Sequence, residues 1–210
     1  PEARFATRLA ALLKSNTSRL RLKIVSNGDN AKALASFDRK ESNLAILRTD
    51  AKIPPRARSV AILDHDLVLL ISPNGKKIKT FAELRKKKIA LLTESENSIA
   101  LVRNALDLPE ASEAAARIQL VPPDSSFDKL FASGYGAVIA ISHASRMTRD
   151  KSYEQYAKRG GFTLNAIDSA KLIARKFPAI SEETVSAGML SSSPAIPEDD
   201  IETIGLEWIL

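Results

Sequence analysis

The feature that most limits what this chain can fold into is a recurrent succession: an apolar strand pattern, a short polar link, a helical stripe, then another strand. Parallel strands need crossover connections, and helices supply them, so this rhythm predicts an α/β fold. Phe5, Leu9, Leu12 and Leu13 repeat at the spacing of one helix face and predict a helix packed on a sheet. Residues 20–25 alternate as a strand, Ser26-Asn27-Gly28-Asp29-Asn30 turns into a short helix through Phe37, and residues 43–47 read as the next strand. Residues 59–63 and 67–71 read as two further strands, interrupted by Asp64-His65-Asp66.

The pattern continues beyond the turn Pro73-Asn74-Gly75-Lys76. Thr80 and Glu83 have capping-box spacing and predict the start of a short helix. Residues 88–92 read as a strand, 93–98 as a polar loop, and Ile99, Val102 and Leu106 as a helical stripe. Strands are expected at 117–121, 136–141 and 162–167. Helices are expected around Phe127–Phe131 (ending at Gly134), over 145–159 up to Gly160-Gly161, and over 169–177 up to Pro178. Ser191-Ser192-Ser193-Pro194 and Pro197-Glu198-Asp199-Asp200 form a polar connection, after which Ile204, Leu206 and Trp208 alternate as a returning strand. About nine strands and seven helices, counted from these patterns, suit two lobes better than one. The expected division is 1–66 as the first lobe, 67–187 as the second, and 188–210 as a return to the first.

Composition narrows the function classes. In 210 residues, 44% are hydrophobic and none is cysteine, which excludes disulfides, thiolate catalysis and cysteine–zinc sites. No run reaches the roughly 18 apolar residues of a membrane-spanning helix. Pro1 is expected to be an edge, with any signal peptide or membrane anchor lying before it. The net charge of +6 raises nucleic-acid binding, yet the basic residues are scattered along the chain and no RNP-like, zinc-finger or helix-turn-helix pattern accompanies them. No nucleic-acid partner is expected.

Two strand-to-helix junctions carry the most chemical information. Val25 leads into Ser26, Asn27, Gly28 and Asn30, and Leu92 leads into Thr93, Ser95, Asn97 and Ser98. The first amide hydrogens of each following helix lack intrahelical partners and carry the positive dipole end, so they suit a carboxylate or phosphate. In open α/β sheets ligands sit at such carboxyl ends. Ser, Asn and Thr also serve there simply as helix caps, and Asp29, Glu94 and Glu96 would repel an anion if they faced it.

The motif order resembles that of periplasmic solute-binding proteins with the type 2 fold. Residues 33–50, containing Glu41-Ser42-Asn43-Leu44-Ala45-Ile46-Leu47-Arg48-Thr49-Asp50, resemble that group's "G-x-x-D-L-A" segment. Residues 78–90, from Ile78-Lys79-Thr80-Phe81 to Ile89-Ala90, are similar to its "I-K-S-L-A-D-L-K-G-K-R-V-A" segment. Lys176-Phe177-Pro178, Val185-Ser186-Ala187-Gly188 and Ile204-Gly205-Leu206 most resemble the TAXI branch, the solute receptors of TRAP transporters. The resemblance implies a two-lobed type 2 fold, each lobe a mostly parallel sheet flanked by helices. It implies an interlobe cleft closing on a small organic anion, a carboxylate or amino acid, which is passed to transporter membrane subunits. It further implies a periplasmic location, tethered to the inner membrane. By position, residues 26–30 and 93–98 become ligand loops, Ser142 and His143 a third wall, and Arg48 a cation for a ligand carboxylate. The chain departs from the family at Glu94, Glu96 and Asn97, where glycines are usual, and at Met189, where an aromatic is usual.

No catalyst, metal or cofactor is expected. His65 and His143 are the two histidines, and Ser142 and His143, adjacent on an extended segment, point apart. His65 between Asp64 and Asp66 reads as a solvated hinge rather than a metal site. No phosphate-binding glycine loop or H-E-x-x-H motif is present. Two further readings stay open: a cytosolic effector-sensing domain of a transcription regulator, and a ligand-free scaffold or sensor domain.

Overall fold

A computed structural model describes residues 2–16, 18–28, 30–93, 97–106, 112–159 and 161–210. The chain is a mixed α/β protein that divides into two compact units, residues 1–63 with 208–210, and residues 64–207.

The first unit holds helices α1 (Glu2–Ser15) and α2 (Asn30–Asp38) and the two-residue strand β1 (Leu47–Arg48), which pairs antiparallel with Trp208 and Ile209. The Arg21 guanidinium closes α1 by donating to the carbonyl of Leu13 (3.3 Å), a cation at the negative helix end. At the end of α2, Lys40 takes a left-handed φ of 61°, while Glu41 N–H bonds Ser36 O and Lys40 N–H bonds Phe37 O. That is a Schellman ending with lysine in the place glycine usually fills.

Three expectations are not met in this unit. Residues 20–25 form no strand, because no strand among the described residues pairs with them; Leu20, Ile24 and Val25 lie exposed. The α1 stripe is not a buried face: Phe5 and Leu12 are exposed and Leu9 and Leu13 only half-buried. The strand expected at 43–47 is reduced to Leu47–Arg48.

The second unit is built on a twelve-residue strand, β2 (Ile62–Pro73). β2 pairs antiparallel with β5 (Ala137–His143), Asp66 opposite His143, and with β6 (Phe162–Asn165), Leu70 opposite Asn165. The other edge of β5 pairs parallel with β3 (Ile89–Leu92), which pairs parallel with β4 (Ile118–Val121). Strand β10 (Ile201–Ile209) lies beside β2 and takes β7 (Ser181–Val185) antiparallel; Thr203 fixes it by donating its hydroxyl to Val68 O. A small hairpin, β8 (Ser191–Ser192) with β9 (Ala195–Ile196), occupies the polar connection.

The sheet is therefore mixed, with parallel pairing at β3 alone among the described pairs, where mostly parallel sheets were expected. Residues 59–63 and 67–71 are not two strands. The run Asp64-His65-Asp66 stays inside β2 because its carboxylates and imidazole find partners on β5 and β7. The helix expected at 145–159 is two helices, α6 (Ala144–Met147) and α7 (Lys151–Lys158). The Thr80 side chain caps nothing: Glu83 reaches back to Lys79 N–H (3.1 Å), and only a 3-10 turn, Phe81–Leu84, follows. The chain rejoins the first unit at Trp208, not at residue 188.

Strand alternation sends side chains to two cores. Val68, Leu70, Ile89, Leu91, Ile139 and Ile141 face one side, under Val102 and Ala105 of α3 (Asn97–Leu106) and Ile173 of α8 (Ala170–Lys176). Leu67, Leu69, Ala90, Leu92, Val138 and Ala140 face the other. There Phe127 and Leu130 of α5 (Phe127–Ala132), Met147 and Tyr153 cover them. Each buried Val, Leu or Ile side chain among them contributes about 1.5–3 kcal/mol on burial. Continuous apolar strands are the mark of a sheet buried on both faces.

Candidate functional site

The order β4-β3-β5 places the first strand of a βαβαβ unit in the middle. The link from β3 to β4 runs one way, through α3 and α4 (Ser112–Ala115), and the link from β4 to β5 returns over β3 through α5. Right-handed crossovers in opposite directions must use opposite faces, which is why α3 and α5 belong to different cores. The carboxyl ends of β3 and β5 thus diverge at a topological switch point, the position where open α/β sheets hold ligands.

At this point Thr93 follows β3 and Ser98 lies in the first turn of α3. Both are buried, 6% and 0% exposed, and Thr93 Oγ1 donates to Ser98 Oγ at 3.2 Å. Two hydroxyls so deep at a strand end are there for hydrogen bonding, since burial of a polar group without a partner costs free energy. Asn97 opens α3; Ser95, with Glu94 and Glu96, lies outside the described residues. Register sets Leu92 opposite Ala140, so β5 runs on past β3 with Ile141, Ser142 and His143. Ser142 is half-buried and His143 is 6% exposed.

His143 has company that the sequence reading did not assign. Its Nδ1 lies 3.1 Å from Asp66 Oδ1 and 3.5 Å from Asp64 Oδ2. Asp64 also accepts from Ser145 Oγ (2.6 Å) and His65 N–H (2.8 Å). Because β2 alternates, His65 projects to the opposite face, where its Nδ1 meets Glu183 Oε1 at 2.8 Å and Ser181 Oγ donates to the same oxygen at 2.7 Å. The polar run read as a solvated hinge is thus a two-faced network inside the sheet. Period-two spacing of Asp64 and Asp66 was the available signal. Gly205 on β10 belongs to the same place: a Cβ there would lie 2.7 Å from Asp66 O and 2.6 Å from Glu183 Cγ. Among the described residues no three His, Asp or Glu side chains come together as a metal site.

The remaining expected site residues belong to the first unit. Ser26 and Gly28 are exposed, Gly28 with φ 83°, and Asn27 and Asn30 are half-buried, Asn30 as the first residue of α2. Arg48 is 3% exposed and engages Asp50 through two bonds, Nε to Oδ1 at 2.8 Å and NH2 to Oδ2 at 2.6 Å, with its guanidinium 5.9 Å from the Trp208 ring centre. This fork-to-fork pair commits Arg48 to a carboxylate of its own chain. The structure brings together Thr93 with Ser98, and His143 with Asp64 and Asp66.

No protein-family model matches the chain, and no curated protein sequence matches it.

Proposed function

We propose that the second unit captures a small organic anion at the carboxyl ends of β3 and β5. The carrying observation is the switch point itself, with Thr93 and Ser98 buried at it and the start of α3 beside them. The ligand carboxylate accepts from the opening amides of α3, which have no intrahelical acceptor, and the Thr93 and Ser98 hydroxyls hold the loop ends in place. On the far side of β5, Asp64 and Asp66 supply negative charge. That arrangement favours an amino acid, whose ammonium group offsets the carboxylates, over a plain dicarboxylate. The role is binding, with no covalent chemistry.

The motif resemblance gives this reading its wider setting: a type 2 two-lobed receptor of the TAXI kind, serving a TRAP-type transporter from the periplasm. A thermal-shift screen of amino acids and small carboxylates tests the binding step. A ligand at a hundred times its Kd stabilises by about 2.7 kcal/mol, roughly 5–10 °C for a chain of this size. Thr93→Val, which keeps shape and removes the hydroxyl bonded to Ser98, is expected to weaken binding about five-fold, the cost of one neutral hydrogen bond that holds the loop ends. A flat response across the panel overturns the proposal, and a response untouched by Thr93→Val moves the site elsewhere.

A further inference from the structure

Positive charge is segregated between the two units. Residues 1–63 hold thirteen Lys and Arg against five Asp and Glu, a net +8, so the rest of the chain carries −2 of the total +6. Between residues 3 and 28 there are six cations (Arg4, Arg8, Lys14, Arg19, Arg21, Lys23) and no carboxylate. The same unit also exposes oil. Of ten large hydrophobic side chains that stand exposed among the described residues, eight belong to it, including Phe5 at 40%, Leu12 at 56%, Leu20 at 66% and Val25 at 55%.

We propose that residues 3–16 and 18–25 supply a face that docks on an anionic phospholipid surface. On α1, helical spacing sets Arg4 and Arg8 along one border of the Phe5–Leu12 stripe, and all four are exposed. A basic border beside an apolar stripe is the pattern of a helix lying in a membrane interface: the aliphatic groups enter the acyl boundary and the cations meet lipid phosphates. Residues 20–25 continue the same composition, with Leu20 exposed between Arg19 and Arg21, and Ile24 and Val25 exposed directly after Lys23. Exposed aliphatics decide between membrane and nucleic acid. Phosphate backbones answer the cations, but only acyl chains remove Leu12, Leu20, Ile24 and Val25 from water. The face is independent of the strand-end anion site, so either proposal stands or falls without the other.

Co-sedimentation of the protein with vesicles of phosphatidylcholine containing phosphatidylglycerol, against pure phosphatidylcholine, tests this docking. Binding is expected only to the anionic vesicles, weakening as salt rises. Each cation removed is expected to cost about five-fold, so Arg4→Ala/Arg8→Ala/Lys23→Ala loses roughly a hundred-fold. Leu12→Ser/Ile24→Ser is expected to lose about ten-fold or more at unchanged charge. The salt titration uses wild-type protein and needs no variant to fold. Absence of binding to anionic vesicles overturns the proposal, as does binding indifferent to salt and to the triple variant. Binding of a labelled DNA duplex with none to vesicles overturns it in favour of nucleic acid. A dimer in light scattering that Leu12→Ser/Ile24→Ser dissolves overturns it in favour of a second copy of the chain.

Discussion

Asn165 is a buried amide that makes four hydrogen bonds in the second unit, so its removal should be costly. It is 2% exposed, and its Oδ1 accepts the Ile78 N–H at 2.7 Å. Its Nδ2 donates to Leu70 O (3.2 Å), Ser72 Oγ (3.0 Å) and Thr163 O (3.2 Å). The amide thereby ties β6 to β2 and holds the turn that delivers Phe81 and Leu84 to the core. Asn165→Ala leaves the Ile78 N–H without this acceptor in a buried setting and strips a donor from two carbonyls. At about 1–3 kcal/mol for each buried group left unsatisfied, with the Ile78 amide dominant, the loss is about 3 kcal/mol. For a chain of this length that lowers Tm by roughly 6–12 °C. Urea unfolding followed by far-UV circular dichroism measures it, with the m value checked for constancy. Asn165→Asp keeps the acceptor for Ile78 but buries a carboxylate against two carbonyl oxygens. Desolvation raises such a group's pKa in the folded state, so this variant should regain stability as pH falls and lose it as pH rises. An Ala variant within about 0.5 kcal/mol of wild type would refute the reasoning, since that is the scatter of neutral surface substitutions.

Three further outcomes are expected. Gly205→Ala drives a Cβ to 2.7 Å from Asp66 O, which cannot swing aside as the Glu183 side chain can, and should cost about 1–3 kcal/mol in the same urea assay. Arg48→Ala takes both guanidinium bonds from Asp50, whose side chain is 7% exposed, and should destabilise the first unit by about 3–5 kcal/mol. Trp208, the one tryptophan, belongs to that unit and reports the change by its emission. Burial, then the charge of Asp150, pushes the Tyr153 hydroxyl well above its ordinary range. A raised folded-state pKa means full stability below the unfolded value of about 10 and progressive loss above it, at up to about 1.4 kcal/mol per pH unit. Tyr153→Phe should remove that part of the alkaline loss, and an unchanged alkaline limb would contradict it.

The parts of the fold legible in the sequence were those where periodicity and burial agree. β3, β4 and β5 are short apolar runs bounded by turns, and α5 ends at Gly134, whose φ of 85° explains the stop. Polar residues misled where long-range partners neutralise them. Asp64, His65 and Asp66 look like a break in a strand until His143, Ser145 and Glu183, all distant in sequence, are set beside them. Residues 20–25 misled in the other direction: alternation is necessary for a strand, but a ladder partner is too, and nothing local reveals its lack. Arg48 stood out from its place at a strand end, while its bonding to Asp50 depends on the turn that follows the strand, which the sequence pattern did not specify. The charge segregation was legible in part, as six cations without a carboxylate between residues 3 and 28, but the net +8 of the first unit emerges only once the boundary at residue 63 is known.

Backbone amide shifts during titration with single amino acids and small carboxylates address the anion site most directly. Saturable movement of the Asn97, Ser98 and Ile99 amides, reduced in Thr93→Val, is the result expected if the opening turn of α3 holds a carboxylate. Saturable binding that leaves those three amides still, or shifts only the basic residues of the first unit, would contradict it.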